Sequence, residues 1–214
     1  MVMMTKTQWV VCMVVLLAAA SVGETVHRYS EDCETHEVTQ IPIGVGDTLP
    51  STTVSSYSHG KVRLIRTPRL FGRKRVVLFS LSGAFEPGAE TQFRGMMESV
   101  YSVYHKFGLD GIVAIMPTDP HANDAFTRHH HLAPSYDVWT TVSDANGSLG
   151  RKLGLVCPHF DEGMRPGLHH FVAVVDNGVV EWIRIDPGHH IHDQTKPDIL
   201  VDYLKSHEKY NPRA

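Results

Sequence analysis

Hydrophobic positions along the chain fall into short unbroken runs separated by polar and glycine-rich stretches. Residues 75–81, with Val76, Val77, Leu78 and Phe79 in succession, form a continuous apolar run bounded by charge and glycine, the pattern of a buried strand. Residues 111–116 (GIVAIM) and 138–142 repeat it, and 61–65 reads as a shorter strand. Residues 171–175 and 179–185 flank Asp176-Asn177-Gly178, a strong hairpin signal because Asn-Gly accepts the positive φ of a tight turn. Elsewhere the period changes. Phe93, Met96, Met97, Val100, Tyr101 and Tyr104 recur at helical spacing over residues 91–107, and Gly108 supplies the stop. Asp119-Pro120 opens a second helix, residues 147–154 hold a short one, and a last one runs from Thr195 or Lys196 to Ser206. Strands alternating with helices, closed by a hairpin and a helix, predict an α/β domain with a central mixed sheet flanked by helices.

The flanks of this pattern are different in kind. An apolar stretch at 9–20 follows Lys6 and precedes the small residues Ser21 and Gly23, which predicts a signal peptide over 1–23. The run is short for a membrane span, which needs about 20 apolar residues. The alternative is an uncleaved anchor, and only that reading brings the protein to a membrane. Residues 24–40 are polar and aperiodic, a leader to a domain expected over 41–207, with a tail at 208–214. The expected location is therefore secreted or lumenal.

Composition adds limits. A globular part of this size buries on the order of 70% of its unfolded surface, so a core does not depend on disulfides. The formal charge of -3 with no basic stripe standing out argues against a nucleic-acid partner. Once the leading segment and its Cys12 are removed, Cys33 and Cys157 remain as a candidate disulfide. Asn146-Gly147-Ser148 is a candidate glycosylation sequon if the chain is secreted.

The chain carries 15 histidines, clustered at 129–131, at His169 and His170, and at His189, His190 and His192. His-rich tracts bind metals, and His169, His170, His189, His190 and His192 are weak candidates for that role. Adjacent histidines on an extended strand point to opposite faces, so His169 and His170 cannot share one ion there. The preferred reading is exposed histidines on loops and helix ends, with no cofactor. Protonating all of them would move the formal charge from -3 to +12, mostly between roughly pH 7.5 and 5.5.

Five separated blocks resemble the type II, peroxiredoxin-5-like group: IGVGDTL at 43–49, VVLFSLSGAFEPGAET at 76–91, NDAF at 123–126, SDANGSLGRKLGL at 143–155 and HFVAVVDNGVV at 170–180. The resemblance implies a thioredoxin-like (peroxiredoxin) fold and, ordinarily, a thiol peroxidase. Its loop reads Pro-Gly-x-Phe-Thr-Pro-x-Cys, with the thiolate activated at a helix start by the macrodipole and a nearby Arg. Here the loop reads Ser82-Gly83-Ala84-Phe85-Glu86-Pro87-Gly88-Ala89. Gly83, Phe85 and Pro87 keep its shape. Ala89 replaces the nucleophile, Glu86 replaces the hydroxyl, and ungapped matching puts Gly167 at the Arg, two residues from Arg165. The resemblance thus implies a vestigial site and no catalytic residue. The expected function is a catalytically inactive redoxin-domain protein with a binding or structural role, its partner unknown, as a homodimer or a subunit of a larger complex. The alternatives are a thiol peroxidase using Cys157, or a His-rich metal-binding protein.

Overall fold

The structure, a computed structural model, describes residues 41–86, 88–101, 104–130, 138–157, 167–186 and 193–207. The expected signal segment, the leader with Cys33, Pro87, Arg165, His189, His190, His192 and the tail lie outside them.

Nine strands are described: β1 (Thr53–Ser58), β2 (Lys61–Arg66), β3 (Arg75–Ser80), β4 (Gly111–Met116), β5 (Trp139–Ser143), β6 (Val156–Cys157), β7 (Gly167–Leu168), β8 (Phe171–Asp176) and β9 (Val179–Ile185). Helices α1 (Thr67–Phe71), α2 (Ala89–Met96), α3 (Pro120–His129), α4 (Ser148–Leu153) and α5 (Pro197–Ser206) intervene. Seven strands make one mixed sheet in the order β2-β1-β5-β4-β3-β8-β9, and β6 and β7 form a separate two-stranded ribbon. β3 and β4 are buried along their whole length, as continuous apolar runs require between two covered faces. They pair in parallel, while β8 runs antiparallel on the other side of β3.

Alternation along these strands splits the core in two. One side packs Val77, Phe79, Ile112 and Ala114 against Phe93, Met96 and Val100 below α2 and against Leu200 and Leu204 of α5. The other packs Val76, Leu78, Val113 and Ile115 against Phe71 of α1 and Leu149 and Leu153 of α4.

The strands expected at 75–81, 111–116, 138–142, 171–175 and 179–185 are present within a residue or so at each end. The single helix expected over 91–107 is not. α2 ends at Met96, a π-helical turn occupies Met97–Tyr101 and a 3-10 turn Tyr104–Phe107. Phe93, Met96, Val100, Tyr104 and Phe107 still face the core. Hydrophobic spacing marks the buried side of a segment and leaves its hydrogen-bond pitch open.

Candidate functional site

β3 ends at Ser80 inside the sheet, between β4 and β8, and α2 begins at Ala89. Ser80 is fully buried; its hydroxyl donates to the His169 carbonyl at 2.7 Å and accepts the Phe171 N–H at 2.9 Å, tying the end of β3 to the start of β8. The loop that follows is tightly wound. Glu86 N–H donates to Gly83 O at 3.4 Å and Ala89 N–H to Glu86 O at 3.2 Å. Phe85 takes φ 65° and Gly88 φ 87°, a left-handed conformation that glycine accepts without cost and phenylalanine does not. Phe85 is 58% exposed, and its ring meets Phe126 edge-on at 5.4 Å and His129 at 5.9 Å. Two residues past β4, the Thr118 hydroxyl accepts the Ala84 N–H at 3.2 Å.

Ala89 is the first residue of α2 and is completely buried. Gly88 caps the helix without a side-chain hydrogen bond; the acid within the first turn is Glu90, which is tied to Arg94 at 2.9 Å. Over the same turn lies His170, whose Nδ1 sits 2.9 Å from Gln92 Oε1. Both residues are buried, and Gln92 Nε2 and Ser82 Oγ are buried without a hydrogen-bond partner among the described residues. An unpaired buried polar group costs roughly 1–3 kcal/mol, so this is a part of the molecule where polarity is held against stability.

The residue that reaches the helix start from the β8 side is thus His170, one position before Phe171. Gly167, where ungapped matching placed the family Arg, lies in β7 opposite Cys157. Cys157 belongs to a strand and not to a helix N-terminus.

The surface reading of the histidines fails for three of them. His169 and His170 are 5% and 2% exposed, and the His130 side chain is 4% exposed. His169 and His170 lie between β7 and β8, their backbones clamped by His169 N–H to Leu155 O and Asp186 N–H to His170 O. His130 packs against Phe93 and Phe126, with Nδ1 4.0 Å from Glu90 Oε1. A flanking aromatic cluster supplies the burial that spacing alone did not reveal. Among the described residues no group of three or more His, Cys, Asp or Glu is disposed to hold a metal ion.

Asn146 is exposed in the turn before α4, with its side-chain oxygen accepting the Ser148 N–H at 3.0 Å. Asp144, buried beside it, accepts the N–H groups of Leu149 at 3.0 Å and Gly150 at 2.7 Å and so caps that helix, a role that no local sequence signal marks.

A model of the Redoxin family matches residues 44–199. The chain is 27% identical over 143 residues to the hybrid peroxiredoxin hyPrx5 of Haemophilus influenzae, covering 67% of this chain and 58% of that protein, less than two thirds of its length. It is 28% identical over 149 residues to peroxiredoxin sll1621 of Synechocystis, covering 66% of this chain and 76% of that one. Reduced Prx3 from Vibrio vulnificus in complex with H2O2 shares the fold at a TM-score of 0.68 with 21% identity, over 76% of this chain and 99% of that structure. With a strand-to-helix loop of this shape and a family match over most of its length, the chain belongs to the Redoxin family and has the thioredoxin-like peroxiredoxin fold.

Proposed function

We propose that this protein keeps the peroxiredoxin scaffold without its thiol peroxidase chemistry and works by binding, as a partner protein or structural subunit. Ala89 carries this reading. Peroxide reduction by a thiol needs a sulfur that attacks one peroxide oxygen and becomes a sulfenic acid, and a buried methyl group can do neither. Glu86 adds a carboxylate where the reaction needs a donor to the peroxide. Cys157 lacks the helix start that would lower its pKa.

Peroxide consumption by the purified chain, with dithiothreitol as reductant and hydrogen peroxide or cumene hydroperoxide as oxidant, tests this. The expected rate equals that of buffer, and Cys157→Ser leaves it unchanged. Turnover that Cys157→Ser abolishes would overturn the reading. The double variant Glu86→Thr/Ala89→Cys is expected to consume peroxide above that baseline, because the loop shape is in place.

The N-terminal apolar stretch supports secretion with removal of residues 1–23, which N-terminal sequencing of the mature chain checks; a retained Met1 would refute it. The family likeness supports self-association, measured by light scattering of the purified chain, and a monomer at micromolar concentration would remove that part.

A further inference from the structure

From Thr48 to Phe85 the chain contains no Asp or Glu and carries seven cationic side chains, Lys61, Arg63, Arg66, Arg69, Arg73, Lys74 and Arg75. The overall charge of -3 hides this run, which does not stand out from the chain's net balance. Arg75 is buried against Glu181. The other six are exposed, and none of the six has an acidic ion-pair partner among the described residues.

Half of those six lie on β2. This strand ends the sheet and pairs only with β1, in register from Thr53 with Arg66 to Ser58 with Lys61. Its outer edge therefore presents a row of N–H and C=O groups with no strand beside it among the described residues. Side chains alternate along it. Val62 and Leu64 share one face with Tyr57 and Ser55 of β1, and are 45% and 77% exposed. Lys61 and Arg63 lie on the other face with Ile65, which packs against the second core cluster and fixes the register.

We propose that the open edge of β2 is a docking site for an extended, acid-rich segment of a partner polypeptide, which adds an eighth strand to the sheet. The row of backbone groups selects a polypeptide, since only a strand can pair with it along its length. Alternation of cationic and aliphatic side chains over residues 61–64 selects a partner strand with apolar residues on one face and carboxylates on the other, and Arg66 adds a cation at the end of the aliphatic face. A second copy of β2 is a poor occupant, because antiparallel pairing would set cations against cations. A nucleic acid strand is also a poor occupant, because it has no alternating main-chain N–H and C=O groups to pair with this row. This site is independent of the loop at the start of α2.

The test uses the purified full chain and a fluorescent peptide of alternating Glu and Val about nine residues long, a typical strand length. Three probes accompany it: the same peptide with a central Pro, a Lys-for-Glu peptide, and a single-stranded DNA oligonucleotide. Anisotropy is expected to show binding of the Glu peptide, with affinity about tenfold or more lower for each of the other three. Lys61→Glu/Arg63→Glu is expected to lose the Glu peptide and gain the Lys peptide, while its unfolding midpoint stays at the wild-type value because both positions are exposed. Amide exchange is expected to slow in β2 when the Glu peptide is bound to the wild-type chain. Equal affinity for the Pro peptide or the DNA would reduce the site to bulk charge and overturn the proposal. So would binding that the charge-reversed variant retains, the absence of any binding, or binding seen only after residues 1–40 are removed.

Discussion

Glu181→Ala is expected to destabilise the protein by about 3 kcal/mol, mostly through the guanidinium it abandons. Arg75 enters the core at the first residue of β3, where its side chain is 5% exposed, and Glu181 reaches it from β9 at 17%. The pair is bidentate: Arg75 Nη2 donates to Glu181 Oε1 at 2.7 Å and Nε donates to Oε2 at 3.0 Å. Arg75 Nη1 also donates to the Phe107 carbonyl at 2.6 Å, and the Tyr203 hydroxyl donates to Glu181 Oε1 at 2.9 Å. Breaking a buried pair costs about 3–5 kcal/mol because one desolvated charge is left alone. The partial exposure of Glu181 admits some water to the site, which selects the lower end.

Replacing both partners by Met removes the charge problem together with the ion pair but takes the donor from the Phe107 carbonyl and the acceptor from the Tyr203 hydroxyl, so Arg75→Met/Glu181→Met is expected to cost about 1–3 kcal/mol, less than the two single Met variants together. Urea unfolding followed by circular dichroism, with linear extrapolation at constant m, measures the four corners of the cycle: wild type, Arg75→Met, Glu181→Met and the double variant. If the double variant loses as much as the two single variants together, the orphaned charge is not the source of the cost and the reasoning fails.

The same network raises the Tyr203 pKa to about 12, through burial first and then its hydrogen bond and proximity to Glu181. Since the folded value is raised, the stabilisation is complete below the unfolded value of about 10 and is lost as pH rises through 12, discounted for partial exposure to about 1 kcal/mol. Tyr203→Phe is expected to flatten the fall in stability between those two pH values, and an unchanged slope would refute the assignment. Ser80→Ala should cost about 2–4 kcal/mol, because the His169 carbonyl and the Phe171 N–H both lose their buried partner; a midpoint shift equivalent to less than about 1 kcal/mol would show that water replaces the hydroxyl. Gly150→Ala drives a methyl into Leu168 and to 3.1 Å from Val156 Cγ2, so thermal unfolding is expected to report a loss of about 1–3 kcal/mol from overpacking.

Some of this molecule was readable from the chain and some was not, and the division follows where burial comes from. β3, β4 and β8 are covered on both faces, so their residues are apolar without interruption and announce themselves. β1 (TVSSYS) is also inside the sheet but is built from serines; Ser56 is buried by donating to the Thr141 carbonyl at 2.8 Å, a partner 85 residues away that no local window contains. α1 is one short helix opened by Pro68, too brief to establish a period. At the site, the absence of a nucleophile at Ala89 was plain in the sequence. The arrival of His170 on Gln92 was not, since it depends on how the ends of β3 and β8 are tied together through Ser80. The basic edge is hidden for another reason: net charge adds over the whole chain, so seven cations without an acid over residues 48–85 are offset by acids elsewhere.

The loop before α2 separates shape from chemistry. A non-glycine residue in the left-handed region costs on the order of 1–3 kcal/mol and persists only where its surroundings hold it. Phe85 is held there by ring contacts to Phe126 and His129, contacts that involve no thiol and no peroxide. Ala89 contributes differently, as a fully buried methyl that completes the core under the first turn of α2. The strained turn is therefore sustained by packing that replacement of a reactive side chain leaves intact. A fold whose site is supported in this way can lose its reaction at one position without losing the surface around it. In the binding role proposed above, that surface, with Phe85 more than half exposed at its rim, is available to a partner.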